Sequence, residues 1–225
     1  MSIHGLRIRG LSYTYAGWPA TLAGLSLEVP AGRSGFLLGP SGSGKSTLLR
    51  CIAGLERGYQ GQVLLDGATL DRLPPHRRSV GLMLQEPALF PHLSAAGNVA
   101  FGLRYRGVPR AGRRAEALHW LGLVGLAERA DAAVDELSGG QRSRVALART
   151  LAARPNAVLL DEPLSGLDAA LRLDLGARLK ALLAAQGVPA LWVTHDEAEA
   201  RRLGDATWRL EAGRAVPVTT HDGPR

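Results

Sequence analysis

Residues Gly39 to Thr47, GPSGSGKST, fit the pattern G-x-x-x-x-G-K-[ST]. A short apolar run, GFLLG, precedes them, and residues at helical spacing follow from Lys45 through Leu48, Leu49 and Ile52. Gly39, Gly42 and Gly44, interspersed with Pro40, Ser41 and Ser43, let the backbone fold closely about an anion. Several N–H groups can then point at one phosphate. In such a loop the Lys45 ammonium reaches the β and γ phosphates of a nucleotide, and the Ser46 hydroxyl binds Mg2+. Lysine is rare here, occurring at Lys45 and Lys180 alone, so its place inside the glycine loop is informative.

Three further apolar runs end in groups that can act on a phosphate. AVLLDEP, Ala157 to Pro163, ends in two carboxylates. Asp161 suits the shell of a Mg2+ ion, and Glu162 can polarise an attacking water. WVTHD ends in His195, which can bond to a γ phosphate or orient that water. VGLMLQ ends in Gln85, whose amide carbonyl can ligate Mg2+. Taken singly, each is an ordinary strand-end residue. Together with the glycine loop they define nucleotide hydrolysis, provided one edge of a sheet gathers them.

Parallel strands would do so. GLRIRGL, TLAGLSLEV, GFLLG, GQVLLDG, SVGLML, NAVLLDEP and PALWVTHD read as strands, and DATWRLEAGRAVPV reads as a strand pair turning at Ala212-Gly213. AALRLDLGARLKALLAAQ reads as a helix. From about Glu86 to Arg154 the character changes. RRAEALHWLGLVGL and GQRSRVALARTLAA have helical spacing, and no convincing strand intervenes. The expected architecture is α/β: a mostly parallel sheet covered by helices, with an N-terminal antiparallel strand region. Residues 1–85 and 155–218 would form the core, residues 86–154 an inserted helical subdomain, and residues 219–225 a loose tail.

Composition narrows the function classes. The chain has 225 residues, 46% hydrophobic and 21% charged, as expected of a globular domain. No run approaches the ~20 apolar residues of a spanning helix. The N-terminus reads as a strand, so no signal peptide is expected. A single cysteine, Cys51, excludes an internal disulfide. The net charge of +7 raises nucleic acid as a partner. The excess is nearly all arginine, in the manner of a GC-rich genome. No basic run is interleaved with aromatics, so no nucleic-acid partner is expected.

The order GPSGSGKST, LQEPALFPHLS, LSGGQRSRVALART, AVLLDEPLSGLD, VTHDEAEA resembles the ATP-binding subunits of ABC transporters, over about Ile8 to Val216. LSGGQ, Leu137 to Gln141, is the most specific of these motifs. The resemblance implies one ABC ATPase domain that binds ATP and Mg2+. Tyr15 would stack on adenine, with Tyr13 as the nearby competitor. Lys45, Gln85, Glu162 and His195 would be catalytic, Glu162 as general base. Ser46, Gln85 and Asp161 would hold the metal. Ser138, Gly139, Gly140 and Gln141 would grip ATP bound to the opposite subunit of a head-to-tail homodimer, and Asp168 would contact that subunit.

LQEPALFPHLSAAGNVAFGLRYRGVP and VTHDEAEARRLGD look like bacterial importers of thiamine, ferric iron, sulfate or polyamines. That implies separate transmembrane permease subunits, an external substrate-binding protein, and a peripheral position on the cytoplasmic face of the plasma (inner) membrane. The C-terminal regulatory domain common in such importers is expected to be missing. The alternatives are a soluble ABC ATPase outside transport, or an exporter-type subunit. Two departures from the usual pattern are Gly35 and Ser143.

Overall fold

The structure, a computed structural model, describes residues 4–17 and 21–218. The expected tail, residues 219–225, lies outside them. Two sheets organise the chain. The first is antiparallel and has four strands: β1 (Gly5–Tyr13), β2 (Leu22–Pro30), β4 (Gln60–Leu65) and β5 (Ala68–Thr69), in the order β2-β1-β4-β5. The second has six: β3 (Ser34–Leu38), β6 (Val80–Met83), β7 (Ala157–Asp161), β8 (Ala190–Thr194), β9 (Ala206–Glu211) and β10 (Arg214–Pro217), in the order β10-β9-β3-β8-β7-β6. Here β9, β3, β8, β7 and β6 run parallel, and β10 turns back antiparallel.

Helix α1 (Lys45–Ala53) follows β3 directly. Between β6 and β7 lie α2 (Ala95–Tyr105), α3 (Arg110–Leu123) and α4 (Gly139–Ala152), with short 3-10 turns and one isolated bridge, Ser94 to Ala133. Helix α5 (Ala169–Ala185) joins β7 to β8, and α6 (Glu197–Leu203) joins β8 to β9.

Strands β3, β7 and β8 are buried along their whole length. That explains their continuous apolar reading: both faces are covered. Successive side chains point to opposite faces, so these strands feed two cores. Phe36, Leu38, Val158, Leu160 and Trp192 pack with Val99, Leu103, Trp120, Val145, Leu147 and Leu179 of the helices. Leu37, Leu159, Leu191 and Val193 pack with α1 and with Leu6, Ile8, Leu25 and Val29 of the antiparallel sheet. Phe36 stacks on Trp192 across β3 and β8, with centroids 5.3 Å apart and planes 13° from parallel.

Both sequence departures have structural reasons. A Cβ on Gly35 would lie 2.7 Å from Val29 Cγ2 and 2.8 Å from the Trp208 ring, so only glycine fits between the sheets. Ser143 is buried on α4, where its hydroxyl donates to the Gly139 carbonyl at 3.2 Å.

Candidate nucleotide site

The parallel strands β3, β8, β7 and β6 are neighbours, so their carboxyl ends share one edge. This is where ligands of open α/β sheets bind. Beyond that edge lie Lys45 and Ser46 after β3, His195 after β8, Asp161 and Glu162 at the end of β7, and Gln85 shortly after β6.

The loop from Gly39 to Gly44 turns tightly into α1. Gly44 caps the helix with φ 104°, in the left-handed region, and no side chain caps the first turn. The leading N–H groups of α1 are therefore available to an anion. A Cβ at Gly44 would meet the Thr21 carbonyl at 3.0 Å, and one at Gly39 would meet Ser43 Oγ at 2.9 Å. At Gly44 the left-handed φ and the backbone neighbour together favour glycine; at Gly39 the neighbour is a side-chain hydroxyl. Pro40, Ser41 and Gly42 are exposed at the rim, and Ser43 donates its N–H to the Pro40 carbonyl at 3.3 Å. Lys45 is 8% exposed and donates from Nζ to the carbonyls of Gly39 (2.9 Å) and Pro40 (2.7 Å). Burial lowers its pKa, opposed by the charges of Asp161 and Glu162.

The expected metal ligands meet directly. Ser46 Oγ donates to Asp161 Oδ2 at 2.6 Å. Asp161 is buried at the end of β7, and burial raises its pKa despite the Ser46 bond and Lys45. Gln85 and both of these residues line one cavity of about 420 Å3, with Arg50, Pro87 and Ala88 among the other walls. A hydroxyl, an amide and one carboxylate are hard oxygen donors. They suit a Mg2+ ion whose remaining ligands are phosphate and water. Among the described residues no group of three or more His, Cys, Asp or Glu could hold a metal ion by itself.

Glu162 joins the remaining candidates. Its Oε1 lies 2.9 Å from His195 Nδ1, and its Oε2 accepts from Gln85 Nε2 at 3.4 Å. The Glu162 side chain is 15% exposed, against 71% for His195. Glu162 has φ 49°, an unfavourable conformation for a residue with a side chain, and its N–H donates to the Val193 carbonyl at 2.9 Å. Backbone strain of this kind gathers at functional sites.

Tyr15 sits beside the glycine loop. Its hydroxyl lies 3.4 Å from Thr47 Oγ1 and donates to Glu56 Oε1 at 3.3 Å. Tyr13 meets it edge to face at 4.9 Å and donates to the other Glu56 oxygen at 2.9 Å. That bond to Glu56, with burial second, pushes the Tyr13 phenol up to about 12. Glu56 was not singled out in the sequence; an isolated acid past the end of a helix carries no motif.

The LSGGQ segment forms its own structure. Ser138 is the N-cap of α4, its hydroxyl accepting from Gln141 N at 3.2 Å, while Gln141 Oε1 accepts from Ser138 N at 2.9 Å. This is a reciprocal capping box. Ser138 and Gly139 are exposed. Gly140 packs on the loop after β7, where a Cβ would lie 3.2 Å from the Gly166 carbonyl. Asp168 caps α5, accepting from Leu171 N at 2.9 Å, and its side chain faces solvent.

The fold and this edge define a P-loop nucleotide-binding protein. A family profile described as "ABC transporter" matches residues 22–165, and the chain belongs to that family. It is 48% identical to the Fe(3+) ions import ATP-binding protein FbpC of Streptomyces avermitilis, over 91% of this chain and 59% of that protein. It is also 48% identical to the spermidine/putrescine import ATP-binding protein PotA of Frankia alni, over 89% of this chain and 44% of that one. The chain thus spans about half the length of these relatives. A dimeric structure of the ATP-binding cassette MJ0796 in a post-hydrolysis state, bound to ADP and Pi, superposes with a TM-score of 0.86 at 30% identity, covering 93% of this chain and 96% of that one.

Proposed function

We propose that this chain binds ATP with Mg2+ at the shared strand edge and hydrolyses it, as the ATP-binding subunit of an ABC importer. The observation that carries the catalytic part is the meeting of four strand ends: Ser46 on Asp161, and Gln85 and His195 on Glu162. The import assignment is supported by the relatives, whose names are those of import ATP-binding proteins.

In this reading the Lys45 ammonium and the N–H groups opening α1 hold the β and γ phosphates. Tyr15 offers its ring to the adenine. Ser46, Asp161 and Gln85 would hold a Mg2+ ion, whose chemistry would be to neutralise charge on the phosphate oxygens. The Glu162 carboxylate accepts the proton of the attacking water, and His195, bonded to it, sets its orientation. The exposed LSGGQ segment of one subunit grips the γ phosphate held by its partner, so ATP joins a two-fold dimer at two composite sites. A dimeric solved relative supports this arrangement. Permease subunits and an external substrate-binding protein complete the system, with this chain peripheral on the cytoplasmic face of the plasma membrane. Among the described residues no helix is long and apolar enough to cross a membrane.

The test is Glu162→Gln. Loss of a general base costs roughly a hundredfold or more in rate. We expect hydrolysis to fall by that much while ATP still binds and drives dimerisation, read by gel filtration with and without MgATP. Hydrolysis at the wild-type rate removes Glu162 from the base role.

A further inference from the structure

Behind Glu162 and His195 lies a small cavity of about 110 Å3, lined by Glu162, Thr194, His195, Asp196, Glu199 and Arg172 among others. Its wall is a hydrogen-bonded frame that the reaction described above does not use. Arg172, in the first turn of α5, divides its guanidinium between two loops. Nη1 donates to Asp196 Oδ2 at 3.0 Å, and Nη2 donates to the Leu167 carbonyl at 3.0 Å. Leu167 belongs to the loop that runs from Glu162 to the start of α5. Asp196 directly follows His195.

The His195 imidazole is 71% exposed, so little desolvation holds it against Glu162. Its position depends on its backbone. The bonds that shape that backbone are mostly local. Asp196 Oδ1 accepts from Ala198 N (2.8 Å) and Glu199 N (3.1 Å). Thr194 Oγ1 accepts from Asp196 N (3.1 Å) and donates to Glu199 Oε2 (2.8 Å). Glu199 is 6% exposed, and its second oxygen is buried without a partner. These bonds make the turn after β8 rigid in itself. The β7–β8 ladder, with the Glu162 N–H on the Val193 carbonyl, holds the two strand ends side by side. Beyond the ladder the Arg172 fork ties the turn at Asp196, 24 residues on in sequence, to the loop at Leu167. Its planar geometry, with donors fixed in direction, suits two acceptors on different loops.

We infer that Arg172 is a positioning residue, locking the turn that bears His195 to the loop from Glu162 to Asp168 so that the His195–Glu162 pair keeps its spacing. This rests on the reading of Glu162 and His195 as catalytic. The ion pair itself is partly exposed, with Arg172 31% and Asp196 30% accessible. Pairs of that kind add little to stability. The effect of breaking the fork therefore belongs in turnover, not in melting.

The test measures MgATP hydrolysis and thermal unfolding of the full chain for wild type, Arg172→Lys, His195→Ala and the double variant. A lysine keeps the charge opposite Asp196 but loses the two-way fork. Misplacing a catalytic group by about 1 Å can cost on the order of a hundredfold. We expect Arg172→Lys to lower kcat by about tenfold or more, with KM for ATP within about twofold and little change in Tm. In the His195→Ala background the same substitution should lower kcat no further, because Arg172 acts through His195. Wild-type kcat in Arg172→Lys, a loss fully explained by unfolding, or losses that multiply in the double variant would each overturn the inference. A hydrolysing wild type, an inactive Glu162→Gln and a fully active Arg172→Lys defeat this inference alone. A Glu162→Gln that hydrolyses normally defeats the reading of the site, and this inference with it.

Discussion

Glu162 is held from several sides. Its backbone takes a left-handed φ of 49°, its N–H is anchored to Val193 on the neighbouring strand, and its carboxylate contacts His195 and Gln85. A residue so constrained presents its carboxylate to one place without rearranging. Tyr15 is held more loosely, by a 3.3 Å bond to Glu56 and a 3.4 Å contact with Thr47. In the function proposed above, the two residues separate binding from chemistry. Stacking of an aromatic side chain on a base is worth about 1–3 kcal/mol by alanine substitution. Tyr15→Ala should therefore raise the Kd for ATP by roughly tenfold, with the affinity for inorganic tripolyphosphate unchanged. Tyr15→Trp should bind ATP as wild type does. Equal weakening of both ligands, measured by calorimetry, would show that Tyr15 shapes the glycine loop instead of reading the base. The motif alone could not rank Tyr15 against Tyr13. In the structure the Tyr15 hydroxyl lies next to Thr47 at the end of the glycine loop, whereas the Tyr13 hydroxyl bonds to Glu56.

At the scale of elements, the α1 and α4 N-termini are built in opposite ways. Helix α1 begins at an uncapped glycine, leaving its first N–H groups for a ligand, whereas α4 begins with a closed capping box between Ser138 and Gln141. The Ser138 hydroxyl caps α4 in its own subunit, and in the function proposed above it also faces the partner's nucleotide. Substitutions can separate the two roles. Ser138→Ala loses the cap, which costs about 1 kcal/mol, so its Tm should fall. Ser138→Asp keeps a capping oxygen and places a negative charge where a γ phosphate would approach. It should melt with the wild type, yet lose ATP-driven dimerisation and hydrolysis. An active Ser138→Asp would show that the hydroxyl acts only as a cap. The other end of α1 is closed by Arg78, a buried residue that the motifs did not mark. Its Nη1 donates to the carbonyls of Cys51 (3.0 Å) and Ile52 (2.9 Å), satisfying the helix C-terminus.

For the molecule as a whole, the issue is how the two grips relate. The glycine loop and its strand-end partners bond to one another, while the LSGGQ residues bond within their own cap. Two inactive variants test whether the second grip works across subunits. Lys45→Ala breaks the first grip and Ser138→Asp the second. Mixed, they form a heterodimer in which one composite site combines an intact glycine loop from one chain with an intact LSGGQ from the other. Each heterodimer carries one intact site of two, so an equal mixture should restore hydrolysis to at most roughly half of the wild-type level. A mixture as inactive as its components would place both grips on one nucleotide within one chain. The helices between β6 and β7 are also tied to the Gln85 segment. Arg149 of α4 donates to the Ala88 carbonyl at 2.7 Å, and its guanidinium lies 5.5 Å from the Phe90 centroid. The helix that LSGGQ begins is thereby tied to the segment that follows Gln85.

The chemistry of the site was legible in residue order because phosphate binding demands particular residues at particular spacings. A backbone that wraps an anion needs glycine, and a lysine must follow at one offset. Apolar strands ending in Gln85, Glu162 and His195 announced their polar tips. What residue order left open was the company each element keeps. The runs GQVLLDG and SVGLML look alike, yet β4 pairs antiparallel with β1 while β6 pairs parallel with β7. Local pattern encodes burial and period; it does not encode which strand lies alongside. The roles of Arg172, Glu56 and Arg78 come from the same source. Each acts on partners 5 to 43 residues away, through contacts that exist only once the sheets and helices are packed. The sequence by itself determined the family, through its motifs, and named the strand-end residues that the fold brings to one edge. The tertiary structure alone decided how those residues are held, because orientation comes from packing and long-range hydrogen bonds, which leave no local periodicity.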